Sequence, residues 1–327
     1  MPSPFTIVIT QGQSNHPEKR ALEEDLAAAL SHHEHLRVVV TTNLYDLQPE
    51  GPGVSALRDI EGDFALISWL YPRSAHWILD RYHVHGRVGE VLLQGEIDED
   101  EEDEPETEQE ELERVIDQRE LPDRSIYCLD FRVEKTPWPY VEELLRIAAE
   151  CGAAPKEEDP MQWLQGAPQA EQLARFLQPT DALQRVDGDK GRRWYPVIDF
   201  SRCTNCMECI DFCLFGVYGV DKAETILVEL PDNCRKGCPA CSRVCPENAI
   251  VFPQHKTPAI AGASVEAGGL KIDLSRLFGA PESDEDAAAV AERERNEQLI
   301  MAGREPVKAG PKDDLDNLID ELDELDL

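Results

Sequence analysis

Cys203-Thr204-Asn205-Cys206-Met207-Glu208-Cys209-Ile210-Asp211-Phe212-Cys213 and Cys234-Arg235-Lys236-Gly237-Cys238-Pro239-Ala240-Cys241-Ser242-Arg243-Val244-Cys245-Pro246 hold eight of the chain's ten cysteines. Thiolates two and three residues apart converge on one point around a metal or an iron–sulfur cluster. A four-cysteine run given twice is the ligand pattern of two 4Fe–4S cubanes. Zinc ribbons are the first alternative, but they pair two Cys-x-x-Cys knuckles rather than runs of four. Disulfides are the second, and they belong to oxidising compartments.

The flanking residues describe a small fold around these runs. Val197-Ile198-Asp199 reads as a strand leading into the first run. Val217 to Val220 and Ile226 to Leu230 read as a hairpin, and Ala249-Ile250-Val251-Phe252 closes the unit. Short helices after Cys206 and Cys238 would carry the distal cysteines. Ile210, Phe212, Phe215, Val244 and Ile250 would shield the centres from water.

Residues 194–256 resemble the bacterial-type two-cluster ferredoxins, in which the distal cysteine of each run serves the other cluster. The resemblance implies that Cys203, Cys206, Cys209 and Cys245 hold one 4Fe–4S cluster, and Cys213, Cys234, Cys238 and Cys241 the other. It does not extend to the N-terminal region. The sequence departs from the family pattern twice. Leu214 follows Cys213 where proline is usual, and Arg235-Lys236-Gly237 is one residue longer than the usual spacer. Gly237 can take positive φ and let that longer loop close.

Composition narrows the classes. A formal net charge of −34 over 327 residues disfavours nucleic acid and anionic membrane surfaces, both of which need a basic footprint. Most of the negative charge lies between Glu96 and Glu120 and from Glu282 onward, and both stretches read as solvated segments. No apolar run reaches the ~20 residues of a membrane span. The start at Met1 lacks a secretory pattern, so a cytoplasmic protein is expected.

Strand and helix signals alternate over residues 1–150. Phe5–Thr10, Leu36–Val40, Phe64–Leu70 and Ser125–Phe131 are apolar runs of strand length. Helical stretches fall at Glu18–Leu30, Ser74–His83 and Tyr140–Ala149. This pattern predicts an open parallel α/β sheet of flavodoxin-like or Rossmann-like kind, with an acidic insertion at 96–120. A linker over 151–191, with a helical piece near Glu171–Leu177, would lead to the small α+β ferredoxin-like domain at 192–256. Residues 257–327 read as a mobile, acidic, partly helical tail. Asp284 to Met301 is helix-forming, and Leu315, Leu318, Ile319, Leu322 and Leu325 share one face of a last helix that could dock on a partner or on the protein itself.

Ligands of open α/β sheets bind at the carboxyl ends of the strands. The loops there would carry Gln11, Gly12, Gln13, Ser14, Asn15 and His16, then Asn43, Tyr45 and Asp46, then Tyr71, Arg73, Ser74 and His76, and last Arg132 and Lys135. Thr10 to Asn15 has a weak likeness to a flavodoxin phosphate loop, which makes flavin a candidate cofactor, but no G-x-G-x-x-G and no P-loop lysine is there. His32, His33 and His35 fall at a helix end and face solvent in this reading. Cys128 and Cys151 read as ordinary buried or half-buried thiols. No catalytic residue is legible. The expected function is electron transfer through two 4Fe–4S clusters, with redox proteins as partners and the α/β domain selecting them. The alternative is an iron–sulfur oxidoreductase whose α/β domain binds a flavin or small substrate.

Overall fold

The computed structural model describes residues 4–95, 113–153, 183–186, 191–263 and 287–306. Its N-terminal domain is an open, wholly parallel sheet. The strands are β1 (Phe5–Thr10), β2 (Leu36–Thr41), β3 (Phe64–Ser68), β4 (Arg87–Val88), β5 (Ser125–Asp130) and β6 (Leu183–Val186). They lie in the order β4-β5-β3-β1-β2-β6. The inner four keep a flavodoxin-like doubly wound order, reversing at β1 and β3. Register aligns Ile7 with Val38 and Ala65, and Leu66 with Cys128.

All six residues of β1 are buried, because helices cover both faces of the sheet. Ile7 and Ile9 point to α1 (Pro17–Ser31) and α4 (Trp138–Glu150), where Leu22, Leu26, Leu30, Leu144 and Ile147 meet them. Val8, Val39, Leu66 and Ile126 point the other way, to α2 (Pro52–Arg58) and α3 (Pro72–Arg81). Pro17, Pro52 and Pro72 each start their helix, where the missing N–H costs nothing. The helix expected over Ser74–His83 is therefore shifted to Pro72–Arg81, and His83 leaves it at φ 62°.

The second apolar layer does not end at α3. Tyr195, Val197, Phe200, Val251 and Phe252 of the cysteine module join the same buried cluster as Val54, Trp77, Ile78 and Tyr82. The module itself has two antiparallel pairs: β7 (Val197–Ile198) with β10 (Ile250–Val251), and β8 (Tyr218–Val220) with β9 (Ile226–Val228). Two five-residue helices, α5 (Glu208–Phe212) and α6 (Ala240–Val244), complete it.

Three stretches depart from the expectations set above. Within 151–191, β6 pairs in parallel with β2 and widens the sheet. At the end of the acidic insertion, Val115 is buried, its N–H donates to Cys203 O at 2.8 Å, and Ile116 N–H donates to Phe200 O at 3.1 Å. Beyond Phe252, α7 (Pro258–Ala261) packs against α3, with Ser74 Oγ donating to Ala261 O at 2.6 Å. A last helix, α8 (Ala287–Met301), lies against α6. Glu171–Leu177, the acidic run over 96–112 and the apolar face from Leu315 to Leu325 lie outside the described residues.

Candidate metal centre

Each cysteine run forms a loop followed by one turn and a half of helix. In the first loop Asn205 and Met207 both have positive φ, 62° and 66°, which curls Cys203, Cys206 and Cys209 around a common centre. Asn205 also ties the loop to the hairpin. Its Nδ2 donates to Glu224 O and its Oδ1 accepts from Ile226 N–H, both at 2.9 Å. In the second loop Gly237 has φ 86°, the conformation that absorbs the extra residue. Helices α5 and α6 then deliver Cys213 and Cys245 as their C-terminal caps.

The result is a crosswise sorting of the eight thiols. One hollow of about 370 Å³, counting space open to solvent at its mouth, is lined by Cys203, Cys206, Cys209 and Cys245 with Ile198, Ile226 and Ile250. A second, of about 340 Å³, is lined by Cys213, Cys234, Cys238 and Cys241 with Phe212, Phe215 and Tyr218. The four cysteines of each set line one hollow. Among the described residues, no three His, Cys, Asp or Glu side chains are placed to hold a single metal ion. Four thiols lining one apolar hollow are a donor set that suits an iron–sulfur cluster.

The electrostatics agree with that fit. Burial pushes the thiols of Cys203, Cys209, Cys234, Cys238, Cys241 and Cys245 up, and the neighbouring cysteines add to the rise. Left to themselves these groups stay protonated. A bound metal cluster would supply the positive charge that makes them thiolates. Hydrogen-bond donors already face the sulfurs. Ala249 N–H reaches Cys245 Sγ at 3.3 Å, and the buried Tyr218 hydroxyl reaches Cys241 Sγ at 3.1 Å. Backbone N–H groups of Asn205 and Ala240 act on Cys203 and Cys238 in the same sense. Such donors help set the potential of a cluster.

Of the residues expected to shield the centres, Phe212 and Phe215 line the second hollow and Ile250 the first. Val244 packs beside Cys238, and Ile210 is half-buried against the main core. Trp194 and Arg295 were not legible. Trp194 Nε1–H donates to Cys238 O at 3.2 Å and its ring stacks on Phe252, while Arg295 lines the second hollow. The run Arg192-Arg193-Trp194-Tyr195 carries some signal, since two large aromatics beside Pro196 are unusual for a free linker end. Arg295 carries none.

The loops at the carboxyl ends of the sheet are filled by the protein itself. Gly12 N–H and Trp69 Nε1–H both donate to Glu23 Oε1 at 2.8 Å, and Arg20 Nη1–H donates to Glu23 Oε2 at 2.8 Å. Glu23 is 1% exposed. A Cβ on Gly12 would lie 2.9 Å from the Trp69 ring, so only glycine fits. An internal carboxylate thus occupies the donors that a flavin phosphate would need, and the flavin expectation finds no support.

Some of the other loop residues turn inward too, whereas Ser14, Asn15, His16, Arg132 and Lys135 stay exposed. Asn43 Oδ1 accepts from Tyr45 N–H, and Asp46 accepts from the side chain of Gln13 and from Arg193 N–H. Tyr45 stacks on Tyr195 with centroids 4.2 Å apart. Arg73 pairs with the buried Asp199, Ser74 bonds to α7, and His76 is 7% exposed beneath the module. Arg132 pairs with Asp130 over the Tyr71 ring. Gln11, Ser14, Asn15, His16 and Lys135 enter neither hollow. His32 is exposed, and His33 and His35 are half-buried edge to face. Cys128 is buried in β5, its thiol pushed by burial up to about 12, and the half-buried Cys151 caps α4.

Comparison with known proteins gives two relatives, both from Methanocaldococcus jannaschii. An uncharacterized ferredoxin is 48% identical over 66 residues, which is 20% of this chain and 44% of that protein. A pyruvate synthase subunit, PorD, is 36% identical over 77 residues, 24% of this chain and 86% of that subunit. The chain thus spans less than half the length of the first relative. No family model matches, and no solved structure matches.

Proposed function

The chain belongs to the ferredoxin-type family through one domain of that kind, and on that premise we propose that it transfers electrons through two 4Fe–4S clusters. Cys203, Cys206, Cys209 and Cys245 would hold the first, and Cys213, Cys234, Cys238 and Cys241 the second. The observation that carries this is the sorting of the eight thiols into two hollows, each completed by the distal cysteine of the other run. When bound, the clusters supply one-electron chemistry. The protein's part is to ligate, to exclude water with Ile198, Ile226, Ile250, Phe212 and Phe215, and to aim N–H and O–H donors at the sulfurs.

The α/β domain serves as the platform and as a partner-selecting surface. Its ligand loops are closed by Glu23 and Asp46, which favours this reading over a substrate-binding enzyme. Cys206 is the one exposed cysteine among the described residues, and Glu208 and Glu247 line its hollow. A redox protein with a basic docking face is the matching partner, met in the cytoplasm. No described helix is long and apolar enough to cross a membrane.

Iron and sulfide analysis of anaerobically purified protein, with EPR before and after dithionite, tests the proposal. About eight irons and eight sulfides per chain and a reduced-state signal split by coupling are expected. Zinc in place of iron, or about four irons, would sink it.

A further inference from the structure

The two hollows differ in their charged lining. The first has Glu208 and Glu247, whereas the second has Arg295. Arg295 comes from α8, which is held to the module by Arg243 Nε–H donating to Glu294 Oε2 at 2.9 Å and by the buried Leu299. The Arg295 residue is 9% exposed, and its guanidinium carbon lies 4.5 Å from the Phe212 ring centroid. One nitrogen, Nη2, donates to Glu292 Oε1 at 3.2 Å. Another, Nε, is buried and has no partner. A buried cation with an unused donor is costly unless an anion faces it. Cysteine sulfurs of the second set line the same space.

We infer that Arg295 is a potential-setting residue for the second cluster, making it the resting place of the transferred electron. The inference rests on the two-cluster reading above. Reduction adds one electron, with no bond or proton exchanged, so the reduced centre is more negative by one charge. The Arg295 guanidinium, shared through one nitrogen with Glu292, favours that state at the second hollow, while Glu208 disfavours it at the first, where Glu247 is already paired with Arg114 at 2.8 Å. Helix α8 also puts protein over the second hollow, whereas the first keeps Cys206 exposed as the side open to a partner.

The test is an EPR-monitored redox titration of the full chain, with Cys241→Ser used to identify the wave of the second cluster. In Arg295→Met that wave should fall by at least a tenfold change in its reduction equilibrium, about 59 mV for one electron, and the other wave should stay. Arg295→Lys should restore most of the shift. An unmoved wave in Arg295→Met, or movement of the other wave, overturns the inference. Leu299→Ala loosens α8 yet keeps the guanidinium and every charge around it. If it shifts the wave as far as Arg295→Met does, helix packing rather than charge is responsible, and the inference also falls. Fewer than two clusters in the unaltered chain would overturn the parent reading first, and this one with it.

Discussion

The α/β domain and the cysteine module reach a folded state by different routes. The sheet has four strands of five or six residues, with apolar side chains on both faces and helices of seven to fifteen residues over them. The module has strands of two or three residues and helices of five. Such pieces bury too little to stand alone. They are held from inside by whatever the thiols bind, and from outside by α3. On the two-cluster reading, the module is a metal-dependent unit leaning on a self-sufficient one through the core they share.

The largest effect should come from removing the metal. Chelation under anaerobic conditions, or Cys209→Ser with Cys241→Ser, should abolish amide protection over Val197–Phe252 while β1, β2 and β3 stay protected. Hydrogen exchange read by mass spectrometry checks this. If the sheet melts too, the platform is not self-sufficient. Next comes the shared core. Tyr195 is fully buried, its hydroxyl donates to Tyr45 O at 3.0 Å, and its ring stacks on Tyr45. Tyr195→Ala should cost about 3–5 kcal/mol in urea denaturation. A cost below about 1 kcal/mol would mean the docking is superficial.

The ion pair across the junction is a smaller lever. Arg73→Ala leaves Asp199, 1% exposed, with Ser201 and a 3.8 Å contact to Arg202. A loss of about 1.5–3 kcal/mol is expected, seen as earlier unfolding of the module than of the sheet. His76 gives the pH dependence. Burial holds its imidazole below the ordinary 6.5 against the pull of Asp80 and Asp199, with His85 lowering it slightly further. The unfolded chain therefore takes up the proton first. Stability is whole above 6.5 and falls as pH drops from there toward the folded value. Denaturation midpoints between pH 7.5 and pH 5 should drop less in His76→Gln than in the unaltered chain. The smallest effect is the control. Trp138 is 66% exposed at the start of α4, so Trp138→Ala should stay within about 0.5 kcal/mol.

What was legible followed from covalent spacing and from periodicity. Cysteine ligands must sit at fixed intervals, so both runs could be read residue by residue, while their crosswise use was implied by the resemblance to two-cluster ferredoxins. The main strands were visible because both their faces are apolar. What was hidden depends on residues far apart in sequence. β6 is four residues long with an exposed Gln184 and Arg185, and only its pairing with β2 makes it a strand. α2 is seven residues with Gly53 inside it, below the length at which a helical period declares itself. The junction joins Tyr45 to Tyr195, and the lining of the second hollow needs Arg295 from more than fifty positions beyond Cys241. No local pattern encodes either meeting.

Glu23 shows what an α/β domain becomes when it stops serving a ligand. Its carboxylate sits where a visiting phosphate would, gripping Gly12, Arg20 and Trp69. The lock has been cast with its key inside. A phosphate reaching this loop would have to displace a carboxylate that already holds three donors.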